Sequence, residues 1–324
     1  MLDASAPAPT ASRDRLIDAI LAFLGDRDLL TVDEIRGALE REIDDAGPAA
    51  LVELKARLAA DDGWTYYQPD PLARRIHHVL AARLLQPDSQ LIGIEQVHAV
   101  AARPVVILAN HLSYADANLL EILLQRSGGA ALADRLTAMA GPKVFASRTR
   151  RFSSLCFGTI KVPQNADVSS GAAVMGTRDV ARAARIAIDV AHERLRNGDA
   201  LVIFGEGTRS RTSGMQPLLI GVARYFDEPG TWILPVGIIG TETLFPVGED
   251  ALHPVRVIVT VGPPIDADTL RFNAGGDRRL MMDAIGLGIA ELLPIEYRGT
   301  YAQGGLVTEA SRVLDDSRKS IGNW

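Results

Sequence analysis

Residues 104–116 read Pro-Val-Val-Ile-Leu-Ala-Asn-His-Leu-Ser-Tyr-Ala-Asp, a continuous apolar run followed by a polar segment. An apolar run without alternation is typical of a strand that is buried on both faces, as in a parallel sheet covered by helices. The polar segment places His111 and Asp116 five positions apart, just after the predicted strand. Ligands in open α/β sheets bind outside the ends of the strands. These residues therefore predict both the fold class and the position of a functional site.

A second segment further along the chain repeats this arrangement. The apolar run Ala200–Phe204 leads into Gly-Glu-Gly-Thr-Arg-Ser-Arg at residues 205–211. The two glycines favour a tight turn, Glu206 supplies a carboxylate, and Arg209 and Arg211 supply guanidinium groups that can bind an anion. Together the two segments predict a general base, its orienting acid and an anion clamp.

The pair of His111 and Asp116 has the chemistry of a general base. An imidazole accepts a proton from a hydroxyl near neutral pH, and a carboxylate on its other nitrogen fixes the tautomer and stabilises the imidazolium. The spacing alone is weak support, because six histidines give several chances of such a pair. Several segments in a fixed order are more specific than this pair.

The order of the segments resembles that of the glycerolipid acyltransferase family. Asn-His-x-x-x-x-Asp follows one strand, Gly-Glu-Gly-Thr-Arg-Ser follows another, and an apolar run comes next at residues 233–238. The resemblance covers roughly residues 90–265. It implies that a fatty acyl group moves from an acyl thioester, carried by coenzyme A or an acyl carrier protein, to a hydroxyl. The implied acceptor is glycerol-3-phosphate or a lysophospholipid, in phospholipid synthesis.

The resemblance also implies a role for each matching residue. His111 would be the catalytic base and Asp116 its partner, while Glu206 and Arg209 would help to bind the acceptor. Gly207 would permit the tight turn. The further candidates for substrate binding are Thr208, Arg211, Asn110, Ser113, Lys143 and Lys161.

Other activities use the same groups and stay open as alternatives. The acceptor could be a lipid without a phosphate, or the protein could be an acyl thioesterase whose base activates water. Thiol release that depends on an added acceptor separates transfer from hydrolysis. No Gly-x-Ser-x-Gly segment is present, so the predicted attack on the thioester is direct and needs no acyl-enzyme.

The chain departs from the family pattern where the acceptor phosphate is expected. Residues 158–164 read Gly-Thr-Ile-Lys-Val-Pro-Gln and lack the arginine that usually ends the family's second block. Residues 219–221 lack a common lysine, and Gly205 replaces the usual proline. A cluster of basic residues is often only solvated surface, but it also offers substitutes for the missing charge. The candidates are Lys143, Arg148, Arg150, Arg151 and Arg211.

Charge is distributed unevenly along the chain. Residues 141–224 contain 13 Lys or Arg and 6 Asp or Glu, a balance of +7 in a chain of net charge −6. A positive field favours an acidic acyl carrier protein, the phosphates of coenzyme A or an anionic membrane surface. The alternative is the solvated face of a helix at residues 177–197, where Arg178, Arg182 and Arg185 follow helical spacing.

Several other partners and locations are disfavoured. The net charge is negative and no aromatic residues interleave with the arginines, which argues against nucleic acid. No histidine or cysteine pair has the spacing of metal ligands, and the predicted reaction needs no cofactor beyond the thioester co-substrate. Cys156 is the single cysteine, and neither a signal peptide nor a membrane-spanning window is apparent. We expect a cytoplasmic protein, with peripheral contact at the inner membrane face left open.

The chain of 324 residues, 47% of them hydrophobic, is long enough for a large core and two units. Helical spacing over the first part includes Asp70-Pro71, which is typical of a helix N-cap followed by proline. From about Leu91, apolar runs alternate with helical segments, which predicts an α/β fold. Its largely parallel central sheet would be flanked by helices and preceded by an N-terminal helical bundle. The predicted divisions are a disordered tail (1–11), a helical domain (12–88), the acyltransferase α/β domain (89–300) and a C-terminal tail or helix (301–324).

The same patterns predict individual elements of the α/β domain. Strands are expected at residues 105–109, 159–162, 201–204, 232–239 and 255–261. Helices are expected around residues 119–125, 177–197 and 218–226.

Overall fold

Three helices open the computed structural model, which describes residues 9–24, 29–60, 63–163, 176–244, 252–302 and 307–319. They are α1 (Pro9–Leu24), α2 (Leu29–Ala59) and α3 (Pro71–Leu84), with the short strand β1 (Tyr66–Tyr67) before α3. A kink divides α2 at Gly47, where φ is 81° and Pro48 follows. Most of the tail predicted at residues 1–11 and the last five residues of the chain lie outside the described residues.

The rest of the described chain alternates strands with helices. In chain order these are β2 (Gln90–Ile92), α4 (Ile94–Ala99), β3 (Val105–Ala109), α5 (Asp116–Arg126), α6 (Ala130–Ala133), β4 (Leu136–Ala140), α7 (Pro142–Phe145), α8 (Arg148–Ser154), β5 (Gly158–Lys161), α9 (Thr177–Arg196), β6 (Ala200–Phe204), β7 (Trp232–Ile239), β8 (Ile258–Val261), β9 (Ile265–Asp266), α10 (Ala267–Asn273), α11 (Arg278–Ala290) and α12 (Val307–Lys319). Short 3₁₀ helices lie at Ile220–Phe226, Thr241–Thr243, Ile295–Tyr297 and Gly299–Ala302.

Within the described residues the strands form one nine-stranded sheet in the order β1-β5-β4-β6-β3-β7-β8-β2, with β9 paired to β7. β3 runs parallel to β6 and β7, β4 runs parallel to β5 and β6, and β2 runs parallel to β8. β7 is antiparallel to β8 and β9, and β1 is antiparallel to β5. The prediction of an α/β fold with a largely parallel central sheet flanked by helices is confirmed.

Each face of the sheet has its own apolar core. Val105, Ile107 and Ala109 of β3 belong to one cluster, whereas Val106 and Leu108 belong to the other, as side chains alternate along a strand. Side chains of α1 to α6 pack in the first cluster, and side chains of α9 to α12 pack in the second. Helices from both ends of the chain therefore help to bury the sheet.

Predicted and observed elements agree best where an apolar run is continuous. The bounds of β3 and β7 match the predicted strands, but β4, with the sequence Leu-Thr-Ala-Met-Ala, was not predicted. The helix expected at residues 218–226 is a 3₁₀ helix over Ile220–Phe226. Gly221 and the β-branched Val222 disfavour a regular α-helix there.

A side-chain cap starts α3 and ties it to the rest of the protein. Oδ1 of the buried Asp70 accepts hydrogen bonds from the N–H groups of Leu72 and Ala73, both at 3.0 Å, and Pro71 is the first helical residue. The predicted N-cap is thus confirmed. The N–H of Asp70 donates to the carbonyl oxygen of Leu155 at 2.7 Å, which links α3 to the end of α8.

We predict that Asp70→Ala lowers the free energy of unfolding by about 1–2 kcal/mol, because two N–H groups at the helix start lose their acceptor. Asp70→Asn should cost less, since its side-chain oxygen can still cap the helix. Urea denaturation followed by circular dichroism measures both changes. Equal denaturation midpoints for Asp70→Ala and the wild type would contradict a stabilising role for the cap.

Candidate active site

The ends of three neighbouring strands, β6, β3 and β7, meet at one edge of the sheet. Because β3 is parallel to both neighbours, their carboxyl ends lie side by side. His111 follows β3, Glu206 follows β6 and Thr241 follows β7. This edge is where ligands bind in open α/β sheets.

A histidine and an aspartate form a hydrogen-bonded pair at this edge. His111 Nδ1 lies 2.8 Å from Asp116 Oδ2. A carboxylate only accepts, so Nδ1 carries the proton of the neutral ring and Nε2 keeps its lone pair. The His111 side chain is 16% exposed, whereas Asp116 is fully buried. The ring thus has the tautomer and the access that a general base needs.

Further hydrogen bonds hold the carboxylate of Asp116. Its Oδ2 also accepts from the N–H groups of Leu112 at 2.7 Å and Ser113 at 2.9 Å. Its Oδ1 accepts from Thr241 Oγ1 at 2.5 Å. Asp116 is the first residue of α5, where the helix dipole favours a negative charge. With His111, four donors fix the carboxylate in one orientation.

The loop after β6 holds the backbone and ring of His111. The N–H of His111 donates to Glu206 Oε1 at 2.8 Å, and its carbonyl oxygen accepts from the N–H of Ser210, also at 2.8 Å. The ring of Phe204 stacks on the imidazole, with centroids 4.3 Å apart and planes at 18°. The structure therefore brings the two sequence segments into direct contact.

Both carboxylate oxygens of Glu206 accept hydrogen bonds from backbone N–H groups. Oε1 binds the N–H of His111, and Oε2 accepts from the N–H of Gln216 at 2.8 Å. The side chain is 5% exposed. Burial, aided by the negative charge of Asp116, raises the pKa of Glu206 to about 7, although both N–H bonds favour the ionised form. These contacts hold Glu206 against the backbone of His111, and the acceptor contact that the resemblance implies stays a prediction.

The turn after Glu206 requires a glycine. Gly207 has φ of 70°, and a Cβ at this position would lie 2.5 Å from Leu219 Cδ1. Its N–H donates to the carbonyl oxygen of Phe204 at 3.1 Å. Thr208 follows in a half-buried position. The turn carries the chain directly to Arg209.

Two guanidinium groups converge on one aromatic ring of the loop after β3. Arg209 Cζ lies 3.8 Å from the centroid of the Tyr114 ring, and Arg150 Cζ lies 4.8 Å from it. Both arginines are half-buried, and neither forms an ion pair with a carboxylate of the described residues. Because like charges repel, this arrangement favours an anion between or beside them.

The other basic candidates for the missing family arginine are placed differently. Arg151, next to Arg150 on α8, is buried, and its Nε and Nη2 have no hydrogen-bond partner among the described residues. Arg211 is exposed. The side chain of Arg148 lies outside the described residues. The structure thus brings Arg150, among these arginines, to the ring that Arg209 contacts.

Two lysine candidates lie on other elements. Lys161 ends β5, three strand spacings or roughly 14 Å from β3. Its Nζ is 5.2 Å from the ring centroids of Trp64 and Phe145. Lys143 is on α7, which follows β4.

Asn110 and Ser113 stabilise the loop that carries the base. The Asn110 side chain donates to the carbonyl oxygen of Ile238 at 2.9 Å and accepts from its N–H at 2.8 Å, so it joins the end of β3 to β7. Ser113 Oγ accepts from the N–H of Ala115 at 3.3 Å. Both polar side chains are buried, and both act on the backbone.

Three contacts of the site were not predicted. Thr241 binds Asp116, Phe204 stacks on His111, and Tyr114 lies against two arginines. Thr241 comes two residues after β7, so its position at a strand end could have identified it as a residue of the site. Tyr114 and Phe204 belong to the two sequence segments that predict the site, but the sequence predicted no role for either residue.

No three His, Cys, Asp or Glu side chains in the described part of the chain are grouped as metal ligands. No helix there is both long enough and apolar enough to cross a membrane.

The fold is an α/β fold, and a hydrogen-bonded histidine–aspartate pair lies at one edge of its sheet. Residues 89–239, just under half of the chain, match the family model described as Acyltransferase. These residues form an acyltransferase domain, which confirms that part of the resemblance. No curated protein matches the sequence.

One solved structure similar to this chain is the 1-acyl-sn-glycerophosphate (LPA) acyltransferase PlsC from Thermotoga maritima. The two chains are 16% identical, and the superposition has a TM-score of 0.46. It covers 86% of this chain and 97% of the other.

We predict that Glu206→Gln lowers kcat about tenfold or more and leaves the KM for the acceptor near the wild-type value. The amide NH₂ of glutamine cannot accept, so one of two backbone N–H groups loses its partner and His111 is displaced. Steady-state kinetics with both substrates varied measures the changes in kcat and in the acceptor KM separately. Glu309→Gln, on the exposed face of α12, is the matched control. A raised acceptor KM with unchanged kcat would instead place Glu206 at the acceptor.

Proposed function

We propose that this protein is an O-acyltransferase that moves a fatty acyl group from an acyl thioester to a hydroxyl of glycerol-3-phosphate or a lysophospholipid. The observation that carries the proposal is the His111–Asp116 pair, with 2.8 Å between Nδ1 and Oδ2. Tyr114, three residues after His111, contacts two guanidinium groups. The pair supplies the base, and the arginines supply affinity for a phosphate. The product would enter phospholipid synthesis.

The reaction follows from the protonation state of the imidazole. Nε2 of His111 takes the proton of the acceptor hydroxyl while the oxygen attacks the carbonyl carbon of the thioester. Asp116 stabilises the resulting imidazolium through Nδ1–H. The tetrahedral intermediate collapses, the carbon–sulfur bond breaks, and the thiolate takes the proton back from Nε2. Each proton and electron pair is accounted for without a metal or prosthetic group, and the thioester is the only co-substrate.

The start of α5 offers backbone donors for the oxyanion. The N–H of Gly207 already donates to Phe204, so the turn after β6 is less suited to this task. The first N–H groups of a helix lack acceptors within the helix and point towards a bound anion. The N–H of Asp116 donates to Ser113, so we assign oxyanion stabilisation to the next N–H groups of α5, at Ala117 and Asn118.

The acceptor site is proposed from the two arginines at Tyr114. A phosphate accepts hydrogen bonds from two guanidinium groups at once, which binds it more strongly than a single charge. Tyr114 lies three residues after His111, so a phosphate there places the nearby hydroxyl of a glycerol phosphate near the base. Arg150 would take the part of the arginine that the family has at the end of its second block.

The setting of the reaction is also part of the proposal. The acyl donor is a thioester of coenzyme A or an acyl carrier protein, and the positive balance of residues 141–224 favours both. The single cysteine suits a reducing compartment, which supports a cytoplasmic location with peripheral contact at the inner membrane face.

We expect His111→Ala to lower the rate of acyl transfer on the order of a hundredfold or more, because the general base is removed. Asp116→Asn should also lose activity, since a neutral amide no longer stabilises the imidazolium that forms on His111. A screen of thiol release tests this, with coenzyme A and acyl-carrier-protein thioesters against glycerol-3-phosphate, lysophosphatidic acid and uncharged lysolipids. Circular dichroism verifies the fold of each variant. Full turnover in His111→Ala would refute the assignment, and thiol release independent of acceptor would indicate a thioesterase.

We expect Arg150→Ala to raise the KM for a phosphate acceptor about tenfold, the loss of one charge-assisted hydrogen bond, and to leave the KM for the thioester unchanged. Arg209→Ala should behave similarly. Arg178→Ala, at an exposed position of α9, removes the same charge away from Tyr114 and serves as the control. Initial rates with each substrate varied give the comparison. A larger effect on the thioester KM would move these arginines to the donor.

A further inference from the structure

Two adjacent aliphatic side chains are exposed in the segment that follows the turn at residues 205–207. Leu219 is 50% exposed and Ile220 is 41% exposed, and the preceding Pro217 is exposed as well. We refer to these three residues as the apolar rim. The other exposed large hydrophobic side chains of the described residues are separate in sequence; they are Val52, Ile92, Phe272 and Ile295.

Hydrogen bonds hold the backbone of the apolar rim in place. Leu218 is buried between the rim residues, and its N–H donates to Tyr301 Oη at 3.1 Å. The N–H of Leu219 donates to the carbonyl oxygen of Gly205 at 2.8 Å, and its own carbonyl oxygen accepts from Val222 at 3.0 Å. The fold therefore presents these side chains to solvent from a fixed backbone. Exposed apolar groups held in this way are typical of an interaction surface.

The charge around the apolar rim is positive. Arg209 and Arg211 precede it, Arg224 follows it, and residues 207–226 contain no Asp or Glu. Arg211 and Arg224 are both exposed. Basic side chains next to a membrane surface are attracted to anionic headgroups, while neighbouring aliphatic side chains enter the interface.

The apolar rim is hydrogen-bonded to, and packed against, the turn that follows β6. Leu219 binds the carbonyl oxygen of Gly205, and its Cδ1 closely approaches the Cα side of Gly207. Arg209, two residues beyond Gly207, reaches the ring of Tyr114 beside the base. A surface that contacts the rim would therefore lie next to the turn that leads to Arg209.

We propose that the apolar rim docks this enzyme on an anionic lipid bilayer, with Leu219 and Ile220 inserted among the headgroups and Arg211 and Arg224 against lipid phosphates. The proposal rests on the proposed function in one respect, since a lysolipid acceptor would then enter the site from the bilayer. An acidic carrier protein would suit the same charge. The rim side chains, however, are aliphatic and include none of the aromatic residues that are enriched in protein interfaces.

Vesicle sedimentation without turnover tests the docking surface. The wild type should bind vesicles of phosphatidylcholine and phosphatidylglycerol, bind pure phosphatidylcholine less, and lose affinity as salt is raised. The double variant Leu219→Ser/Ile220→Ser should bind anionic vesicles at least about tenfold more weakly. Phe272→Ser removes a side chain that is 84% exposed on α10 and should bind like the wild type. Ile220→Ser alone, one position further from Gly207, should show an intermediate loss if the double variant proves unstable.

Equal binding of the double variant and the wild type would overturn the proposal, as would a wild type that ignores anionic vesicles. If the double variant binds vesicles normally but no longer binds an acidic acyl carrier protein, the proposal is also overturned, and the rim is assigned to the acyl donor. Transfer to water-soluble glycerol-3-phosphate should be the same in Ile220→Ser and the wild type. If no acceptor supports acyl transfer by the wild type, the proposed function fails. Vesicle sedimentation would still show whether the rim binds anionic membranes.

Discussion

The carboxylate of Glu206 is the contact on which the arrangement of the site depends. Its oxygens accept the backbone N–H groups of His111 and Gln216, each at 2.8 Å, and so join the loops after β3 and β6. Burying a carboxylate costs free energy, and its pKa of about 7 reflects that cost. The two hydrogen bonds offset part of it. The backbone of His111 is therefore held by a residue 95 positions away in the sequence.

The order of the strands determines which groups reach the base. β3 lies between β6 and β7, so the loop of His111 is supported from both sides. On one side Glu206 and Ser210 bind the peptide of His111, and on the other Thr241 binds Asp116. A shift of either neighbouring strand by one residue would turn its side chains to the opposite face and remove these contacts. The geometry around His111 and Asp116 thus depends on the register of the sheet.

Sequence patterns predicted the parts of this architecture that depend on local composition. β3 and β7 are continuous apolar runs, and their bounds were predicted, whereas the short Ala- and Thr-containing β4 gave no comparable signal. The His111–Asp116 spacing indicated the base, because both residues belong to one loop. The contact of Thr241 with Asp116 depends on strand order, which periodicity does not reveal. The same holds for Glu206, whose motif was recognised but whose backbone partners were not predicted.

The proposed site for an anionic acceptor illustrates how tertiary structure could replace a motif. The arginine that ends the family's second block is absent, yet Arg150 of α8 lies over the same ring as Arg209. The face of an aromatic ring attracts a cation, so Tyr114 can hold both side chains close together despite their mutual repulsion. A bound phosphate would remove that repulsion and accept hydrogen bonds from both groups. Affinity for the acceptor would then arise from where α8 packs, which explains why the altered second block need not abolish recognition of a phosphate.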